Sequence, residues 1–232
     1  MARHLAIGDI HGCFETLKRL LRVVEPREED LIITLGDYIN RGPNSYGVME
    51  WLIQTQKTGQ LRALRGNHDV MFAQAIQGEN ISRFRKVGGD ETLKSYAKYG
   101  NRSGELDDVP EHHFQFLESE LLPYYEMDTH FFVHANAYAD YPLADQPDYM
   151  LYWEKFNYPP RHMSGKIMVC GHSSQKSGRP LVTEDAICID TFAHGGGWLS
   201  CLDVQADMLW QANRDGDVRQ LPLSEIEQLD IR

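Results

Sequence analysis

Short apolar runs that each stop at a residue able to hold a metal ion constrain this chain most tightly. Residues 5–7 lead into Gly8-Asp9-Ile10-His11-Gly12, residues 31–35 into Gly36-Asp37-Tyr38-Ile39-Asn40-Arg41-Gly42-Pro43, and residues 61–64 into Arg65-Gly66-Asn67-His68-Asp69. Residues 131–133 end at His134-Ala135-Asn136, and residues 167–170 at Gly171-His172-Ser173. Apolar runs this short, closed by glycine and polar residues, read as buried strands.

The segments between them read as helices. Phe14, Leu17, Leu20, Leu21 and Val24 recur at helical spacing, with Lys18, Arg19 and Arg22 on the opposite face, and Pro26 stops the run. Val48, Met49, Leu52 and Ile53 give a second helix ending by Gly59, and Val70, Met71, Ala73, Ala75 and Ile76 a third. The order βαβαβα implies parallel pairing. Asp37 then stands just past the carboxyl end of a strand, where open α/β sheets place ligands.

From residue 78 to 128 the pattern changes to polar, glycine-punctuated pieces. Asp90 is expected to cap a helix through Leu93, Tyr96 and Ala97, and residues 110–122 form another, with Phe114, Leu117, Leu121 and Leu122 as its apolar side. This stretch is expected to be a helical insertion leaning over the site. Residues 138–160, rich in Tyr, Pro and Asp, read as a long ordered loop. Residues 186–190, 198–204 and 208–212 read as antiparallel strands joined by tight turns. The expectation is an α/β fold in one domain, 1–232, with the insertion at about 78–128.

Composition narrows the partners. The 232 residues are 42% hydrophobic and 10% aromatic, enough to bury a full core. A formal net charge of -11 disfavours nucleic acid and anionic membrane as partners. An anionic substrate must therefore be attracted locally, by metal ions or a few Arg and Lys residues. Cys13, Cys170, Cys188 and Cys201 are widely spaced and mostly embedded in apolar runs, which suits a reducing compartment. The N-terminal apolar run is too short for a signal peptide, and no stretch approaches membrane-spanning length, so a soluble cytoplasmic protein is expected.

The residues that follow the strands are Asp9 and His11, Asp37, Asn67 and His68, His134, and His172. All are oxygen or nitrogen donors, which suits Mn, Fe or Zn. Six of them, His68 set aside, plus water over-supply one ion. Two ions sharing Asp37 use them all, in the arrangement by which paired metals about 3.5 to 4 Å apart clamp the attacking and leaving oxygens of a phosphoryl displacement. Arg41 offers a planar fork of donors suited to phosphate.

Together Gly8-Asp-Ile-His-Gly12, Gly36-Asp37 with Arg41-Gly42, Gly66-Asn-His-Asp69, His134 and Gly171-His172 resemble the phosphoprotein phosphatase branch of the calcineurin-like metallophosphoesterases, from about residue 4 to 204. The resemblance implies two packed mixed sheets flanked by helices. It implies that Asp9, His11 and Asp37 hold a first metal, that Asp37, Asn67, His134 and His172 hold a second, that His68 is the general acid, and that Arg41 binds phosphate oxygens. The expected chemistry is in-line attack on phosphorus by a hydroxide lying between the two ions, whose pKa the metals lower.

The chain departs from the pattern twice. The family usually has an Asp three residues after the bridging Asp to orient the general-acid histidine, where this chain has Asn40, an amide without the negative charge that favours a protonated ring. Relatives commonly place a phosphate-gripping arginine after a Leu-Trp pair, where this chain has Tyr152-Trp153-Glu154-Lys155 and, farther on, Arg161. Lys155 and Arg161 read equally as phosphate contacts and as solvated cations. Arg83, Arg85 and Lys86 read as a solvated helix face, His194 either approaches the site or belongs to a glycine-rich turn, and His112-His113 receives no role.

The leading expectation is a phosphomonoesterase of the Ser/Thr protein phosphatase type acting on phosphorylated protein or a small phosphoester. The alternatives are a symmetrical dinucleoside tetraphosphate hydrolase, with Tyr138, Tyr141, Tyr149 and Tyr152 beside the nucleoside, and a phosphate-binding protein weakened through Asn40.

Overall fold

Two mixed sheets stacked face to face carry the site on loops at their strand ends. The structure, a computed structural model, describes residues 2–228. β1 (His4–Ile7) is followed by α1 (Phe14–Val24), β2 (Leu31–Thr34), α2 (Ser45–Lys57), β3 (Leu61–Ala63) and α3 (Asn67–Ile76). β1, β2 and β3 pair in parallel, with Ala6 opposite Ile33 and Thr34 opposite Ala63. The 78–128 stretch contributes α4 (Ile81–Phe84), α5 (Asp90–Tyr99) and α6 (Glu111–Gln115). Then come β4 (Tyr124–Glu126), β5 (His130–Val133), α7 (Asp148–Tyr152), β6 (Ile167–Cys170), β7 (Leu181–Val182), β8 (Ala186–Cys188), β9 (Trp198–Asp203), β10 (Met208–Asn213) and β11 (Val218–Pro222). One sheet runs β11-β10-β9-β1-β2-β3 and the other β4-β5-β6-β8-β7.

Alternation along the strands builds the layers. In β1, Leu5 and Ile7 face a core shared with α1, α2, α3 and α5, while Ala6 faces the second sheet. In β5, Phe132 meets Ala6, Ile33, Val169 and Leu202 between the sheets, while Phe131 and Val133 face outward against Leu143, Leu151 and Tyr152 of the 138–160 loop. That loop is ordered by a buried Gln146, whose side chain takes the Tyr138 N–H at 2.7 Å and donates to the carbonyls of Tyr138 and Tyr141.

Sequence-based expectation and fold differ at several elements. β8 pairs antiparallel with β7 but parallel to β6, with Val169 opposite Ile187, because it belongs to the second sheet and not to the β9-β10 hairpin. The 78–128 stretch is not wholly helical, since β4 closes it by pairing with β5. The helix expected over 110–122 is shorter: α6 widens into a π-helical turn at Phe116–Glu120, and Leu121 is extended. Leu122 then gives its N–H to the Ala63 carbonyl and its carbonyl to the Arg65 N–H, satisfying backbone at the end of edge strand β3. Asp90 is the first residue of α5 rather than its cap, and its carboxylate pairs with Arg85 at 2.6 Å. β7 and β11 were not anticipated; the first is two residues long, and the second alternates too weakly in polarity to stand out.

Candidate metal centre

The loops after β1, β2, β3, β5 and β6 converge through backbone shapes that polar residues and glycine tolerate. His11, Asp37, Asn40, Arg41 and His172 all have positive φ, between 44° and 70°. Left-handed backbone costs a non-glycine residue on the order of 1 kcal/mol, a strain that concentrates at functional loops. Gly66 is required for a different reason: a Cβ there would collide with the backbone nitrogen and Oδ1 of Asp37. Asp69, buried in the first turn of α3, locks the same junction by accepting the N–H groups of Asp37, Tyr38 and Gly66 at 2.9 to 3.1 Å.

Asp37 sits between two donor groups. Its Oδ2 lies 3.5 Å from His11 Nε2 and 3.9 Å from His68 Nε2, and its Oδ1 lies 3.5 Å from His134 Nε2. Asn67 Oδ1 is 3.1 Å from His134 Nε2 and 3.0 Å from His172 Nδ1. Asp9 joins them through the His172 N–H, 3.1 Å from each of its oxygens. All of the predicted ligand side chains are thus gathered at one place.

Backbone carbonyls select the nitrogen that each ring presents. His11 Nδ1 is 2.9 Å from the Ile39 carbonyl and His134 Nδ1 is 2.7 Å from that of Leu35, so each Nδ1 carries the proton and each Nε2 keeps its lone pair. His172 is reversed: Nε2 donates to the Trp153 carbonyl at 3.1 Å, leaving Nδ1 free. The lone pairs of His134 and His172 therefore point at the Asn67 oxygen. Acceptors facing acceptors in a buried site repel unless a cation joins them.

The electrostatics agree. Burial, with Asp190 and Asp37 nearby, drives the Asp9 carboxyl well above its ordinary range. Burial lifts Asp37 to about 7 against the opposing His68 N–H bond and Arg41 charge. Burial also holds His134 down to about 4 and, with neighbouring positive groups, His172 to about 2. Neutral imidazoles and carboxylates disfavoured as lone anions are the protonation states a bound cation reconciles. The donor set therefore fits divalent transition metals.

Arg41 and His68 face this cluster. The Arg41 guanidinium reaches His11 Nε2 and His68 Nε2, each at 2.9 Å, and His194 Nε2 at 3.1 Å. Asn40 is fully buried, its N–H on the Thr92 hydroxyl at 2.9 Å and its amide nitrogen 2.9 Å from His68 Nδ1. A neutral imidazole accepts at one nitrogen only. The amide and the guanidinium are both satisfied once the amide presents its oxygen to Nδ1–H, a turn the Thr92 hydroxyl tolerates because it accepts as well as donates. Burial, then Arg41, lowers His68 to about 2.

A cleft of about 220 Å³ opens over the cluster, lined by Asp37, Arg41, His68, Arg83, Trp153 and Lys155 among others. Lys155 also donates to the His172 carbonyl at 3.3 Å. Arg161 lies elsewhere: it donates to the Gly165 carbonyl, comes within 3.9 Å of Asp185, and is absent from the cleft lining. Arg83 is exposed, as expected of a solvated face, and also lies over the Trp153 ring at 4.4 Å in the cleft wall. His194 does approach the site, edge-on to His11 at 4.9 Å between centroids. Asp190, missed in the sequence, is buried beside Asp9 and held by Ser174 at 2.5 Å; its apolar run disguised it as a strand residue.

The chain belongs to the calcineurin-like phosphoesterase family, which it matches over residues 2–204. It is 32% identical over 145 residues to "Serine/threonine-protein phosphatase 1" of Salmonella typhimurium, covering 61% of each chain. It is 40% identical over 90 residues to "Bis(5'-nucleosyl)-tetraphosphatase, symmetrical" of Chromobacterium violaceum, covering 38% of this chain and 30% of that one. The matches thus span less than two thirds of either relative. A solved structure described as a putative diadenosine tetraphosphatase superposes with a TM-score of 0.64 at 20% identity, covering 95% of this chain and 93% of that one, a likeness of fold. The family implies divalent metal ions.

Proposed function

We propose that the chain is a metal-dependent phosphomonoesterase of the Ser/Thr protein phosphatase type, acting on a phosphorylated protein or small phosphoester. The carrying observation is that the two oxygens of Asp37 face different donor groups, His11 on one side and His134 with Asn67 and His172 on the other. Asp9, His11 and Asp37 would hold one ion, and Asp37, Asn67, His134 and His172 a second, each Mn, Fe or Zn. When bound, such a pair supplies Lewis-acid stabilisation of phosphoryl oxygens and a water acidic enough to attack near neutral pH.

The chain's own groups do the rest. Arg41 turns its fork from the imidazoles to two phosphate oxygens, where it offsets charge that grows in the transition state. Lys155 adds a second positive charge at the cleft. As the oxygen of a water that has lost one proton to solvent bonds to phosphorus and the ester bond breaks, His68, whose Nε2 takes up a proton once Arg41 has turned to the anionic phosphate, passes that proton to the departing oxygen, and Asn40 keeps the ring aimed through Nδ1. The two sheets and the insertion are read as one domain. Free, buried cysteines support a cytoplasmic setting, and no helix among the described residues is long and apolar enough to cross a membrane. The net charge of -11 argues against nucleic acid or an anionic membrane as target.

A second reading, hydrolysis of a symmetrical dinucleoside tetraphosphate, is favoured by the Arg83–Trp153 stack in the cleft wall, a surface on which a base can lie. Mn-loaded protein assayed on a phosphoserine peptide and on diadenosine tetraphosphate separates the two. Higher kcat/KM on the peptide supports the first. Higher kcat/KM on the dinucleotide replaces it with the second, and failure on both and on p-nitrophenyl phosphate leaves a phosphate-binding protein.

A further inference from the structure

A second cluster of metal-type donors lies away from the cleft, where α2 meets the insertion. His112 and His113, adjacent on α6, both point Nε2 at one oxygen of Glu50 on α2, at 3.1 and 2.8 Å. Their rings lie 4.5 Å apart at 75°, and the three ligand atoms are all within 4.8 Å of one another. Adjacent corners of a tetrahedral shell around an ion bonded at about 2.0 to 2.2 Å are about 3.3 to 3.6 Å apart, so each histidine need move from Glu50 by only about 0.2 to 0.8 Å to admit an ion.

We infer that Glu50, His112 and His113 form a second, structural site for a zinc-type divalent ion, with water completing the shell. Two imidazoles and a carboxylate suit a borderline transition ion, and offer too few oxygens for calcium or magnesium. The outer partner that a metal-bound histidine needs is in place. His113 Nδ1 is 2.7 Å from the Tyr96 hydroxyl, so the ring proton can sit on Nδ1, donated to that oxygen, with Nε2 left for the ion. Solvent enters on the His112 side, whose side chain is 54% exposed, while that of His113 is fully covered.

The position gives the ion a task. α2 starts four residues beyond Arg41, and α5 carries both Tyr96 and Thr92, the partner of Asn40. An ion joining α2 to α6, backed by Tyr96 on α5, ties the insertion to the loop that holds the candidate general acid.

The test compares metal-stripped wild-type protein with Glu50→Gln and His112→Ala, all titrated with zinc by calorimetry and with cobalt by visible absorption. Both substitutions are on solvent-accessible side chains. The wild type is expected to take up one more equivalent than either variant, with an added cobalt d–d band and a larger zinc-induced rise in Tm. Equal stoichiometry in all three proteins overturns the site. The difference between wild type and variant is independent of the main centre: with that centre absent, the counts fall together but still differ by one.

Discussion

Replacing Asn40 with Asp puts a negative charge against the imidazole that the proposed mechanism uses as its acid. The amide nitrogen of Asn40 stands 2.9 Å from His68 Nδ1. Opposite unit charges about 4 Å apart at an effective dielectric of about 20 attract by about 4 kcal/mol, or roughly 3 pKa units. The cost of keeping a carboxylate in a buried position reduces this to about 1 to 3 units. The sign follows directly: the anion favours the protonated ring, so His68 keeps its proton to higher pH. The alkaline limb of kcat/KM is expected to move up by about 1 to 3 pH units. On an alkyl phosphate, whose leaving group needs a proton, the rate above neutrality rises by about 10-fold or more. On p-nitrophenyl phosphate it changes by less than about 2-fold, because that leaving group departs without help. An Asn40→Asp enzyme that folds and loads metal, yet shows neither the shifted limb nor the substrate-dependent gain, refutes the role given to His68 and Asn40.

Lys155→Ala is expected to raise KM for a phosphoester by roughly 3- to 10-fold, the worth of a partly solvated charge contact, while Arg161→Ala leaves steady-state kinetics unchanged. Arg83→Ala should lower kcat/KM on diadenosine tetraphosphate more than on a short phosphopeptide if a base stacks in the cleft, and parallel losses on both would remove that subsite. Arg3 bonds both oxygens of buried Asp30 and the carbonyls of Val24 and Glu25, pinning β1 to the start of β2. Burial raises the Asp30 carboxyl, but the bonds from Arg3 and Arg27 outweigh it and hold it at about 2. Asp30→Asn should therefore lose about 2 kcal/mol in urea unfolding at neutral pH. Because the folded-state value is depressed, that difference is present in full above about pH 4 and fades as pH falls toward 2, and a difference independent of pH would exclude the ion pair as its source.

The candidate metal ligands were legible because each follows a short apolar run and each is of a type seldom left at a strand end without a partner. Their convergence follows from parallel pairing of β1, β2 and β3, which aligns the strand ends. Which nitrogen each histidine presents was not legible, since it depends on carbonyls far away in sequence, such as Leu35 for His134. The place of Arg83 in the cleft wall was not legible, since only the fold brings Trp153 beneath its exposed side chain. Of the two readings open for Arg161 the geometry favours the solvated cation, since a cation in the right stretch of sequence says nothing of the direction its loop takes. Likewise Glu50, 62 residues from His112, was outside any local pattern. The parallel placement of β8 was hidden because a three-residue strand reads the same in either direction.

The central claim is that one carboxylate is shared by two ions. Crystals of the protein grown with manganese, measured at a wavelength where manganese scatters anomalously, test it most directly. Two peaks about 3.5 to 4 Å apart on either side of Asp37, one beside His11 and the other beside Asn67, His134 and His172, are the predicted result. A single peak, or two peaks that do not share Asp37, would contradict it.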